Sequence, residues 1–214
     1  MERRRFLQCG GAALFGAVVL GACTSDDSGH QQGQPPTTTP TTLVNGAGPT
    51  DIALTKTAAS LEAMLIDAYQ KLTTSPLVTS SSLVALGTLF AQHHTQHLAA
   101  LNGIITTGGS AAITAPNDVM EKQIVQPALA AAKTQDDLVH LFFTLEDATA
   151  QTYVYAGGAS TRPDLRSSMM SIGGIEARHR ALLSVQVEQQ QIDDLFPSAF
   201  AQSDNPLPPD ALVT

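Results

Sequence analysis

Beyond residue 50, apolar residues recur three and four apart in four separate stretches, the spacing that lines one face of an α-helix. The first stripe runs Ala58, Glu62, Leu65, Tyr69, Leu72. The second runs Leu83, Leu86, Phe90, His94, His97, Leu101, Ile104. The third is Val139, Phe142, Glu146, Ala150, Tyr153, and the fourth Leu165, Met169, Ile172, Glu176, His179, Leu183. No stretch sustains the two-residue alternation of a half-buried strand, so the pattern predicts an all-α bundle.

Local residues set the expected ends. Asp51 offers a cap for a first helix reaching about Leu72, and Thr73-Thr74-Ser75-Pro76 breaks it. Ser80-Ser81-Ser82 offers caps for a second helix to about Ile105, which Gly108-Gly109 closes. A long connection from Thr106 to Thr134 follows, with a short helix expected over Val119 to Lys133. Asp136-Asp137 starts a third helix ending at Gly157-Gly158. Thr161-Arg162-Pro163 opens a fourth, running to about Gln191.

Each stripe is apolar except near its middle, where an acid or a histidine takes the place of a leucine-like residue. The arrangement also repeats. Leu61-Glu62 is followed by Tyr69, and Leu145-Glu146 by Tyr153, with seven residues from Glu to Tyr in both. His94-Thr95-Gln96-His97 precedes Ala99 and Leu101, as Glu176-Ala177-Arg178-His179 precedes Ala181 and Leu183. A helix pair thus occurs twice, offset by 82 to 84 residues.

Composition narrows the picture. At roughly 150 residues per domain, 214 residues permit one domain plus appendages. Hydrophobic residues are 43% and charged residues only 14%, which is enough apolar material for a core. Without Trp, and with 5% aromatics, that core is built of small aliphatic residues that suit close-packed helices. A net charge of −8 argues against a nucleic-acid partner, which requires a basic face. Both cysteines, Cys9 and Cys23, precede the helical part, so it contains neither a disulfide framework nor a Cys nucleophile.

The first residues read as an address. Arg3-Arg4-Arg5-Phe6-Leu7 precedes a small apolar run from Cys9 to Ala22, shorter than the ~20 residues a membrane-spanning helix needs. The ending Leu20-Gly21-Ala22-Cys23 resembles a bacterial lipoprotein signal, which implies cleavage before Cys23 and lipidation of that residue. The paired arginines resemble a twin-arginine signal, although Glu2 and Gln8 depart from it, and a general secretory signal is the other reading. Residues 1–22 are then the signal peptide and 23–50 a lipidated Cys with a Thr/Pro tether, around Pro35-Pro36-Thr37-Thr38-Thr39-Pro40. The bundle would occupy 51–191 and a Pro-containing tail 192–214, with Phe196-Pro197 placed to cover a bundle end. The mature chain, 8 basic against 18 acidic residues, would be extracytoplasmic and lipid-anchored rather than embedded.

The inward acids carry the chemistry. After the signal only Glu62, Glu121, Glu146, Glu176 and Glu188 remain, and three of these five fall on the stripes. A buried carboxylate needs a basic partner, a shared proton or a metal ion. Arg178 and Arg180 flank His179 and are expected on other faces, so metal is the best remaining compensation. Glu176 and His179, three apart, share a helix face and can serve one ion or two neighbouring ions.

This set resembles the ferritin-like superfamily. Its di-metal carboxylate proteins draw one Glu from each of two helices and Glu-x-x-His from each of the other two. Glu62 and Glu146 match the single acids, Glu176 and His179 one Glu-x-x-His, and His97 the histidine of the other. The resemblance covers about Asp51 to Gln191, and secreted bacterial ferritin-like domain proteins share its export signal and Pro-containing tail. It implies a four-helix bundle with a long crossover between helices 2 and 3. It implies metal ligands Glu62, His94, His97, Glu146, Glu176 and His179, and iron as the cofactor, two ions or one. Manganese, zinc and copper suit the same donors.

One departure matters: His94 stands where the pattern has Glu. A neutral imidazole does not bridge two ions, and three carboxylates leave two divalent ions with a net +1, so the second ion would bind more weakly or not at all. His93 is an alternative donor, four residues from His97. Tyr69 and Tyr153, ~10 Å along the helix from their own Glu, read as core aromatics. His140, Asp67 and Asp147 read as solvated, and Met169 and Met170 as core. Two functions follow. One is a membrane-anchored di-iron-type oxidoreductase that oxidises Fe(II) or another small reductant with O2 or peroxide. The other is a non-catalytic envelope module with a degenerate or structural metal site. A homodimer suits the tether better than a closed cage.

Overall fold

The computed structural model describes residues 49–186 and Val213. The described residues are all-helical, with five helices among them: α1 (Pro49–Thr74), α2 (Ser81–Thr107), a crossover α3, α4 (Gln135–Ala159) and α5 (Pro163–Ser184). The crossover α3 runs without a break through Asp118–Met120, a π-helical turn Glu121–Val125, and Gln126–Ala131. Short links pair α1 with α2 and α4 with α5, and α1 also packs on α4. The expected signal, Cys23 and tether up to residue 48 lie outside the described residues, as do Gln191, Glu188 and Phe196. Among the described residues, no helix is long and apolar enough to cross a membrane.

Caps fix most of the ends. Ser80 accepts a hydrogen bond from the Leu83 amide, Thr134 and Asp137 form a capping box at α4, and Pro163 occupies the first turn of α5. At Gly109 the backbone reaches φ +79°, a conformation glycine adopts readily, and α2 stops just before it. Asp51 departs from expectation. It lies inside the first turn of α1, fully buried, and its carboxylate accepts hydrogen bonds from the Thr161 amide (2.8 Å) and hydroxyl (2.6 Å). It therefore clamps the α4–α5 link instead of capping its own helix.

The crossover is pinned at two points. The Asn102 side chain exchanges hydrogen bonds with the Ile113 backbone (2.8 and 2.7 Å). Asn117 caps α3 through Met120 N (3.1 Å), while its own amide groups donate to Ser60 O and Oγ (2.9 Å each). The loop is thereby fastened to the middle of α1, and α3 closes one side of the bundle.

The stripes face inward and form two apolar clusters. One contains Leu65, Tyr69, Leu72, Phe90, Leu138 and Phe142. The other contains Ala58, Leu101, Ile105, Leu165, Met169 and Ile172. Every Glu named on the stripes falls between these clusters, so the polar residues sit in a layer sealed at both ends by hydrocarbon. Burying a side chain of this size is worth roughly 1.5–3 kcal/mol, and these two plugs hold the layer in place.

Candidate metal centre

Four helices deliver six side chains to that layer. Glu62 comes from α1, His94 and His97 from α2, Glu146 from α4, and Glu176 and His179 from α5. The three carboxylates are 0% exposed, as is His94; His179 is 2% exposed, and the His97 side chain, at 14%, alone keeps some contact with solvent. The donor atoms form two overlapping quartets. Glu62, His94, His97 and Glu176 make one, and His94, Glu146, Glu176 and His179 the other, with all four donor atoms of each within 4.8 Å of one another.

His94 and Glu176 belong to both quartets. His94 Nδ1 lies 2.8 Å from Glu62 Oε2, and its Nε2 3.2 Å from Glu146 Oε1. His97 Nδ1 lies 2.8 Å from Glu176 Oε1. His179 Nδ1 lies 3.2 Å from Glu176 Oε2 and 3.4 Å from Glu146 Oε2. His93, half-buried, does not join either quartet. Its Nδ1 meets His179 Nε2 at 2.9 Å, behind the ring.

Two residues read from sequence as core aromatics do more than pack. Tyr69 donates its phenol hydrogen to Glu146 Oε1, and Tyr153 donates to Glu62 Oε1. Each tyrosine reaches the glutamate of the other helix pair, so measuring to its own glutamate missed the contact. The seven-residue Glu–Tyr spacing, present twice, is the signal that carries it. Aromatic rings wall the layer: Phe90 stacks on His179 with centroids 3.9 Å apart, and Tyr69 on His94 at 5.4 Å.

Charges are strongly coupled here. Burial pushes the Glu62 and Glu146 carboxyls up, but the imidazoles opposite them win and hold both below the usual range. Glu176 goes the other way, raised by burial and by the charge on Glu146. Burial opposes a proton on His97, yet the hydrogen bonds and charges of Glu176 and Glu62 raise it to about 9. Burial likewise opposes a proton on His94 and His179, but Glu146, Glu62 and Glu176 raise the first, and Glu146 and Glu176 raise the second. Without an ion, shared protons therefore hold the acids together.

Protons do not satisfy the whole set. Glu146 Oε2, Glu176 Oε1 and His97 Nδ1 are buried and make no well-aligned hydrogen bond, although His97 Nδ1 lies 2.8 Å from Glu176 Oε1 and Glu146 Oε2 lies 3.4 Å from His179 Nδ1. Three such atoms in one dry layer, aimed at carboxylate and imidazole neighbours, are donors for a cation. The donor set thus fits a first-row transition metal.

Other expected positions divide. Asp67 and His140 are exposed, and Met169 is core. Met170 is 50% exposed, since it lies along the α4 surface beside Gly157. Asp147 is half-buried and pairs with Arg180 Nε, which also places Arg180 away from the acids, over the Phe143 ring. Glu121 escaped the stripe count. The π turn directs it inward, where Lys71 Nζ meets its Oε1 at 3.0 Å, outside the cluster. A family model for a ferritin-like domain matches residues 50–189. No curated protein and no solved structure gives a significant match.

Proposed function

Since the chain belongs to the ferritin-like domain family, we propose that its buried cluster is a redox-active transition-metal centre, with iron as the first candidate metal. In this reading the loaded centre oxidises Fe(II) or another small reductant with O2 or peroxide. The single observation that carries it is the pair of overlapping quartets of buried carboxylate and imidazole donors, with His94 and Glu176 shared between them, inside one layer.

A bound ion would supply the electron exchange and open positions for a small oxidant. The chain's own residues do the rest. The carboxylates supply anionic oxygens that offset the ion's charge, and the imidazoles supply neutral nitrogen donors. Tyr69 and Tyr153 fix the rotation of Glu146 and Glu62, leaving defined oxygens facing the centre. Phe90 and the apolar clusters exclude bulk water, which strengthens every charge interaction within. His97 stands at the side of the layer nearest solvent, the natural approach for a small reductant.

The same reading places the domain outside the cytoplasmic membrane, held by a lipid on Cys23. Its support is the sequence: the arginine-rich start, the short apolar run ending Leu20-Gly21-Ala22-Cys23, and the Thr/Pro tether. A second reading, a structural or degenerate metal site in an envelope module, draws on His94, which removes a carboxylate from the shared position. Anaerobic loading of the full chain with Fe(II), followed by O2 or peroxide, separates the two. Stoichiometric Fe(II) oxidation that disappears in E176A supports the oxidoreductase. Oxidation no faster than in buffer, with metal still bound, supports the structural site.

A further inference from the structure

Both quartets need His94, and a neutral imidazole has one lone pair to give. Through Nδ1 the ring meets Glu62, and through Nε2 it meets Glu146. Whichever nitrogen carries the hydrogen, the quartet on that side loses a donor. The shorter contact is to Glu62, 2.8 Å against 3.2 Å, so the hydrogen on Nδ1 is the better held of the two, and Nε2 is the nitrogen that an ion would free.

The carboxylates agree with that choice. Both oxygens of Glu62 are engaged, Oε1 by the Tyr153 phenol and Oε2 by His94. Glu146 has Oε1 engaged by Tyr69 and His94, while its Oε2 has a 3.4 Å approach to His179 Nδ1 and no well-aligned hydrogen bond. His179 presents Nδ1 to Glu146 and Glu176, while His93 Nδ1 lies 2.9 Å behind its Nε2 to accept the hydrogen there. An acceptor behind a ligating imidazole fixes its tautomer. All four residues of this quartet are buried, and its two carboxylates balance the charge of one divalent ion. The remaining donors, His97 Nδ1 and Glu176 Oε1, lie 2.8 Å apart and face each other.

Resting on the metal-centre reading above, we infer that the protein binds one divalent first-row ion tightly, in the seat of His94, Glu146, Glu176 and His179. Glu62 then serves as a positioning residue that holds the tautomer of His94 and is not a ligand of that ion. Any second ion at the Glu62–His97 side is the weaker one.

The test is an anaerobic Co(II) titration of the metal-free full chain, followed by stoichiometry and by the Co(II) absorption bands. The wild-type chain takes up one equivalent in a tight step. E62Q keeps one equivalent and the same band positions, with Kd raised about 10- to 100-fold, the effect of losing an outer hydrogen bond. E146Q and H179A lose the tight step. H94E, which supplies a fourth carboxylate, takes up two equivalents. If E62Q fails to fold, E62D gives the same comparison, since it keeps the acceptor but shortens its reach. Two equal tight equivalents in the wild type, or E62Q losing the tight step as E146Q does, would overturn the seat while leaving the metal centre intact. No Co(II) uptake at all would remove both.

Discussion

Tyr153 and Tyr69 are donors whose only polar work is to orient a buried acid. Loss of a hydrogen bond to a charged group, with the acceptor left buried, is worth about 1.5–3 kcal/mol. Y153F should therefore lower the stability of the metal-free protein by that amount, read as a shift of the urea midpoint at constant slope. An unchanged midpoint would mean that water replaces the phenol. His97 gives a second prediction at this scale. Its pKa rises from 6.5 to about 9 on folding, because Glu176 and Glu62 outweigh burial. A group with a raised folded pKa stabilises fully below its unfolded value and loses that stabilisation as pH climbs through the folded one. The metal-free protein should weaken between pH 6.5 and 9, while metal uptake strengthens over the same interval as the competing proton leaves. Thermal melts and metal titrations at pH 6, 7.5 and 9 check both directions. At this scale the sequence was most informative where a residue broke a pattern. Glu62, Glu146, Glu176 and His179 each stand out against an apolar stripe. Asp51 and Glu121 do not, because their burial depends on a partner, Thr161 or Lys71, that is distant in sequence.

At the level of helices, α4 and α5 approach closely where Gly173 faces Tyr153. A Cβ at Gly173 would sit 2.9 Å from the Tyr153 Cβ, a stem atom that cannot swing aside. A Cβ at the neighbouring Gly174 meets nothing within 4 Å. The two substitutions should therefore have opposite signs. G174A should stabilise the helix by roughly 0.5–1 kcal/mol. G173A should destabilise by about 1–3 kcal/mol through overpacking, and should also disturb the Tyr153–Glu62 hydrogen bond. Equal effects from the two, in denaturant unfolding, would show that the helices separate freely. The helices themselves were legible because period and caps agree: Ser80, Thr134 and Pro163 each mark a start. The π turn in α3 was not legible. One extra residue in a turn changes no composition, and it is the backbone hydrogen bond from Gln126 N–H to Glu121 O, five residues apart, that reveals it.

For the whole molecule, the duplication is the organising fact. Two helix pairs face each other so that each tyrosine reaches across to the acid of the other pair, and the two apolar clusters seal the layer between them. The repeat in the letters made the bundle readable. The cross-pairing was not, since sequence gives spacing along a helix but not which helix lies opposite. Attachment belongs to this scale too. The proposed anchor predicts that Cys23→Ala moves the protein from the membrane fraction to the soluble extracytoplasmic fraction, with helical content unchanged; continued co-sedimentation with membranes would exclude a lipid on Cys23 as the anchor. The account as a whole depends on the buried layer being a metal centre. The most direct measurement is transition-metal content of the full chain purified from its native compartment, beside E176A, which removes the carboxylate common to both quartets. The account predicts about one equivalent or more in the wild type and less than about a tenth of that in the variant. Equal metal content in both, or none in the wild type, would contradict it.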